Sequence, residues 1–96
     1  MRPTVYILAS HKNGTLYTGV TSNLAKRVWE HREGAIEGFT ERHRVKRLVW
    51  YDVHERMESA ITLEKRLKRW RRSWKLELIE EQNPEWRDLF FELGPL

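Results

Sequence analysis

Two runs of strand-forming residues, TVYILAS at 4–10 and LYTGV at 16–20, are separated only by HKNGT. Asn13-Gly14 within that connection is a strong hairpin signal, because both residue types accept the positive φ of a tight reversal. The chain therefore commits early to an antiparallel pair. Thr21, Ser22 and Asn23 then offer helix N-caps, and Leu24 to Arg32 follows with a helical period. Gly34 and Gly38 bracket a loop or a short irregular helix. RLVWYDV at 47–53 reads as a third strand. Glu55 to about Arg72 is the longest helical pattern, with Met57, Ala60, Ile61, Leu67 and Trp70 on its apolar face. Trp74 to Glu81 continues as helix after a bend near Ser73. Asn83-Pro84 breaks it, since the residue before proline disfavours the helical conformation, and the pair reads as an N-cap followed by proline at the first helical position. EWRDLFFEL forms a terminal amphipathic turn. The order strand, strand, helix, strand, helix, helix points to a small α+β domain, a mainly antiparallel sheet with helices packed on it. One domain is expected over residues 1–96, with its core at about 3–82 and a C-terminal helical extension at 83–96.

Composition narrows the setting. Cysteine is absent, so disulfides and thiolate metal sites are excluded and a reducing compartment fits. No apolar run approaches the roughly 20 residues of a membrane span, and VYILA is too short and too close to a turn to be a signal peptide. A cytoplasmic protein is expected. Charge is unevenly spread: residues 41–75 carry 12 Lys/Arg against 5 Asp/Glu, and residues 76–96 carry 1 against 6. A basic centre beside an acidic tail suits a polyanionic partner, although a solvated charged face gives the same count.

Several residues break the apolar stripes. Leu24 and Val28 set the inward face of the first helix, yet Arg27 sits beside Val28 and His31 follows one turn later. A charge so placed needs a partner. Glu64, four after Ala60, three after Ile61 and three before Leu67, interrupts the stripe of the longest helix. It is either half of an internal salt bridge to Arg27 or an edge residue reaching water, or else a single carboxylate anchoring a hard divalent cation. Tyr6 and Tyr17 on the hairpin are packing aromatics or hydroxyl donors to a shared cleft. Gly19 either releases the strand or allows close approach of a ligand. A phenol, with a pKa of about 10, is a poor base at neutral pH unless a cation lowers it. Together these groups are the parts that phosphodiester hydrolysis requires: a base, a phosphate clamp, a proton carrier and a metal ligand.

VYI, then YTG about ten residues on, then NLAKRVWEH and a glutamate on a later helix, resembles the GIY-YIG nuclease superfamily, and in particular its small stand-alone bacterial members. The likeness covers nearly the whole chain, including the ending LEKRLKRWRRSWKLELIEEQNPEW. It implies a three-stranded antiparallel sheet flanked by helices, with the active site on the sheet's face. Tyr6 matches the tyrosine of the first motif, with Thr4 where the name has glycine. Tyr17 and Gly19 match the second motif around Thr18. Arg27 matches the helix arginine that contacts the scissile phosphate, His31 the position one turn later, and Glu64 the single metal-binding glutamate. Mg²⁺, with Mn²⁺ able to substitute, is the implied cofactor, and Tyr6 is favoured over Tyr17 as the base. The pattern departs at one place. Many members carry an asparagine about a dozen residues after the metal glutamate, where this chain has Lys75 and Leu76; the nearest asparagine, Asn83, reads as structural.

KRLKRWRRSWK interleaves cations with Trp70 and Trp74. Trp70 continues the apolar stripe and belongs in the core. Lys26, Lys68, Arg71, Arg72 and Lys75, with Gly19, are expected to contact nucleic acid. His11, His43 and His54 lack metal-ligand spacing and read as surface residues. The leading expectation is a metal-dependent endonuclease acting on single- or double-stranded DNA, with single-stranded DNA as first choice. The alternative is a non-catalytic nucleic-acid-binding module with the same fold. A protein-interaction domain using LFFEL is a third reading, and the oligomeric state is open.

Overall fold

The hairpin forms where the sequence places it. In the computed structural model, which describes residues 2–35 and 38–93, β1 (Thr4–Ala9) and β2 (Leu16–Thr21) pair antiparallel with Tyr6 opposite Gly19 and Leu8 opposite Tyr17. The chain reverses over His11–Gly14, where the Gly14 N–H donates to the His11 carbonyl at 2.9 Å and Asn13 takes φ 60°. β3 (Arg47–Val53) joins the other side of β1, giving the order β2-β1-β3. This is the expected three-stranded antiparallel sheet of an α+β fold. Its register slips between Ile7, opposite Trp50, and Leu8, opposite Leu48. Val49 is thus the extra residue of a bulge, and Val49 and Trp50 enter the same core cluster.

Alternation along β1 divides the molecule. Val5, Ile7 and Ala9 belong to one cluster, completed by Ala60 and Leu67 of α3 (Met57–Arg69), Ile79 of α4 (Arg72–Gln82) and Trp86. Tyr6 and Leu8 belong to the other, with Leu48, Val45, Val28 of α1 (Leu24–Arg32) and the 3-10 turn Leu89–Glu92. Both faces of this small sheet are therefore covered. A four-residue helix α2 (Phe39–Arg42) starts immediately after Gly38, and the middle of the Gly34–Gly38 segment and the last three residues of the C-terminal extension lie outside the described residues.

Three local expectations change. Ile61 is exposed, and Leu63 takes its place against the core, so the buried stripe of α3 is rotated from the one its periodicity suggested. The helix break falls at Trp70 and Arg71, both extended, and not near Ser73. Asn83 is the C-cap of α4 and not the N-cap of a following helix. It is buried, and its side-chain amide donates to the carbonyls of Val49 (3.1 Å) and Arg87 (2.9 Å) while its oxygen accepts from the Arg87 N–H (2.9 Å). Asn83 and Trp86 lie inside the core, so the segment after residue 82 completes the domain.

Candidate active site

The tyrosines reach one face because they occupy positions of matching pleat on paired strands. Gly19, directly across from Tyr6, has a specific reason to lack a side chain: a Cβ there would lie 2.5 Å from both Cζ and the hydroxyl of Tyr6. The absent methyl leaves the space the phenol fills. α1 crosses the same face, its phase set by Asn23, whose Oδ1 accepts from the Lys26 N–H at 3.3 Å. Val28 anchors the helix, and His31, 2% exposed, drops between the rings of Tyr6 and Tyr17, at centroid distances of 6.0 and 5.4 Å.

His31 is bonded on both nitrogens. Nε2 lies 3.2 Å from the Tyr6 hydroxyl and Nδ1 3.0 Å from Oγ1 of Thr40, itself buried. Burial, then the nearby Arg27 charge, pulls the imidazole below the ordinary histidine value, with Glu30 opposing. The Tyr6 phenol is pushed far above its ordinary range, first by burial and then by Tyr17; Arg27 pulls it back, and Glu64 and Glu30 push it further. A neutral imidazole carries one ring hydrogen and both hydroxyl partners can donate or accept. In one tautomer Tyr6 O–H donates to Nε2 and Nδ1–H donates to Thr40, and in the other both directions reverse. Thr40, His31 and Tyr6 thus form a hydrogen-bonded line from α2 through α1 to the sheet.

Arg27 and Lys26 line an open cleft of about 410 Å³ together with Thr21, Ser22, Asn23 and Glu30. Among the described residues Arg27 has no ion pair. Glu64 approaches from α3, where it flanks the buried stripe with a side chain 13% exposed. Its recorded partner is Lys68, at 2.7 Å and one helical turn on, and not Arg27. Among the described residues no three His, Cys, Asp or Glu side chains converge as a metal cage.

The remaining predicted contacts divide. Lys75 is held below its ordinary value by burial and by the charges of Arg72 and Lys68, so these three cations share one patch. Arg72 donates from Nη2 to the carbonyls of Asn13 and Gly14, both at 2.7 Å, and so fastens α4 to the hairpin turn. Arg71 lies over the exposed Trp74 ring at 4.9 Å, while Trp70 packs against the core as expected. His54 is half-buried, with Nδ1 hydrogen-bonded to Ser59 and Nε2 3.0 Å from the Asp52 carboxylate but without hydrogen-bond geometry to it. Sequence reasoning did not single out Thr40 or Glu30. Glu30 sits three residues after Arg27, a helical neighbour by spacing. Nothing local marks Thr40, whose role depends on where α2 folds back.

Comparison with known proteins bears on the family and the fold. Residues 2–77 match the profile of the GIY-YIG catalytic domain. The chain is 38% identical over 82 residues to a UPF0213 protein of Syntrophus aciditrophicus, covering 84% of this chain and 92% of that protein. It is 35% identical over 79 residues to a UPF0213 protein of Clostridium perfringens, covering 82% and 84% respectively. Among solved structures, the solution NMR structure of the UPF0213 protein BH0048 from Bacillus halodurans matches with a TM-score of 0.58 and 27% identity, covering all of both chains. With this profile spanning most of its length, and with two strand tyrosines, a helix arginine and a helix glutamate on a three-stranded sheet, the chain belongs to the GIY-YIG superfamily.

Proposed function

We propose that the protein is a divalent-metal-dependent endonuclease that hydrolyses phosphodiester bonds in DNA. The observation that carries this reading is the buried Tyr6–His31–Thr40 line, set within the field of the Arg27 guanidinium. A buried phenol needs some partner, and the neutral imidazole is one that can also take its proton while the oxygen accepts another from water.

Water attacking phosphorus gives its proton to the Tyr6 oxygen as the Tyr6 proton passes to His31 Nε2. The new P–O bond forms as the P–O3′ bond breaks, and the leaving 3′ oxygen takes a proton from solvent. Arg27 holds the phosphate, and its charge favours the phenolate. The same charge opposes an imidazolium at His31, so a bound phosphate, by offsetting Arg27, eases proton uptake there. This path uses the tautomer in which Thr40 Oγ1 accepts from Nδ1–H, which leaves Nε2 free to accept. Tyr17, in van der Waals range of both rings, orients the attacking water.

Glu64 suits a hard cation of the Mg²⁺ type, which binds through one or two carboxylates and keeps its waters, and the donor set does not suit zinc. Such an ion supplies charge stabilisation for the phosphate and its leaving oxygen when bound. Lys26, in the Arg27 cleft, and Lys75 extend the positive surface along a nucleic-acid strand.

The test is cleavage of end-labelled single- and double-stranded DNA with Mg²⁺, Mn²⁺ or chelator, comparing wild type with Glu64→Ala and Tyr6→Phe. Metal-dependent products are expected to fall by about 100-fold or more in Tyr6→Phe, the range for a lost acid–base group, and to vanish in Glu64→Ala with the metal ligand. The preferred strand form names the substrate. Intact DNA in every lane with binding retained would instead favour a non-catalytic binding module, for which the Lys68-occupied Glu64 and the absent neighbouring asparagine would be the reasons.

A further inference from the structure

The Glu64–Lys68 pair differs from the fully surface pairs of the molecule. Both side chains of Arg56–Glu58 and of Arg2–Glu55 are largely exposed, so those pairs are screened and contribute little. Glu64 is covered, at 13% exposed, whereas Lys68 is 53% exposed, and the 2.7 Å contact is a short charge-assisted hydrogen bond. The acid is mostly shielded and the ammonium has an open route to solvent.

We propose that Lys68 is a cation gate on Glu64: its ammonium occupies the carboxylate in the metal-free protein, and a divalent cation binds there by displacing it. This rests on the reading of Glu64 as the metal ligand. The lysine satisfies a covered carboxylate that would otherwise lack a counter-charge, which keeps the site folded without metal. A divalent ion and the ammonium compete for the same oxygens, so affinity is lower than the bare carboxylate would give. Once displaced, Lys68 is left beside Lys75 and Arg72, three like charges in one patch. That arrangement is unfavourable until an anion enters it. A DNA phosphate is such an anion, and so metal and nucleic acid favour each other's binding through one side chain.

Lys68→Met tests the gate without activity as the readout. Methionine keeps the stem and the helix propensity at a half-exposed position, and circular dichroism and thermal melting show that the variant is folded at the titration temperature, whatever stability the lost pair costs. Mn²⁺ binding is titrated by calorimetry and by the electron paramagnetic resonance of free Mn²⁺. Removing a contact competitor is expected to tighten Mn²⁺ binding by about 3- to 10-fold, while Lys65→Met, one charge removed from an exposed site on the same helix, stays within about twofold. Glu64→Gln is expected to lose the binding. Unchanged or weaker binding by Lys68→Met, with Glu64→Gln still defective, would overturn the gate and leave the metal assignment standing. Binding by Glu64→Gln equal to wild type would overturn both. Absence of binding by wild type with binding by Lys68→Met would support the gate, and absence in both proteins would sink the gate together with the metal assignment.

Discussion

At the scale of single residues, the site is a matter of space and of protons. Gly19 is the clearest case of space. An alanine there places a methyl 2.5 Å from the Tyr6 hydroxyl, so the phenol must move off His31 or the strands must part. Gly19→Ala is expected to destabilise the fold by about 1–3 kcal/mol, the cost of overpacking, as read by urea denaturation. His31 is the case of protons. Its folded value is lowered from 6.5 by burial and Arg27, so the unfolded chain binds a proton more readily than the native one. Stability therefore falls as pH drops from about 7 through 6.5 towards the depressed native value, and levels off below it. Thermal melting against pH should show this decline in the wild type and a shallower one in His31→Gln. The motif tyrosines and Arg27 were legible in the sequence as residues; their protonation was not, because it depends on Thr40 and on burial.

Secondary-structure elements were legible wherever local physics decides them. The Asn23 cap, the start and end of α1 and the span of β3 all match, since each follows from a cap or a period within a few residues. The helix break was not legible: neither Trp70 nor Arg71 is a breaker, and no side chain caps either end. There Arg72 ties α4 to the hairpin turn while Trp70 packs on the core, so contacts far along the chain set the corner. Asn83 is misread from sequence for a related reason. Proline after it fits a helix start, yet its amide spans from β3 to Arg87. Asn83→Ala leaves the buried Val49 carbonyl without that donor and should cost about 1–3 kcal/mol of stability, read from the shift in denaturant midpoint at unchanged slope.

Over the whole molecule the basic residues do two kinds of work. Arg32 pairs with Asp88 and lies over the Phe90 ring, Arg47 donates to the Trp86 carbonyl, and Arg72 clamps the hairpin; these hold the C-terminal segment and α4 onto the sheet. Lys26 and Lys75 have no ion pair among the described residues. If single-stranded DNA crosses the cleft, Lys26→Ala and Lys75→Ala should each flatten the slope of log affinity against log salt by about 0.7 with little change in melting temperature. Arg72→Ala should instead lower the melting temperature. Fluorescence anisotropy over a salt series, beside melting curves, separates the two groups. No helix among the described residues is long and apolar enough to cross a membrane.

What the sequence determined by itself was the inventory: three strands, the main helices, a family pattern, and polar residues set against apolar stripes. Caps, turns and periods act within a few residues, so those features need no knowledge of the rest of the chain. Even the Lys68 partner of Glu64 lay within reach, four residues away on one helix. Only the tertiary structure decided which distant groups meet. Tyr6 and His31 are 25 residues apart and Asn83 reaches Val49 across 34, pairings set by how the helices pack on each face of the sheet. Trp86, wholly buried with φ 58°, shows the same limit. Its left-handed backbone is costly for a bulky residue in isolation, and the core that its indole completes holds it there.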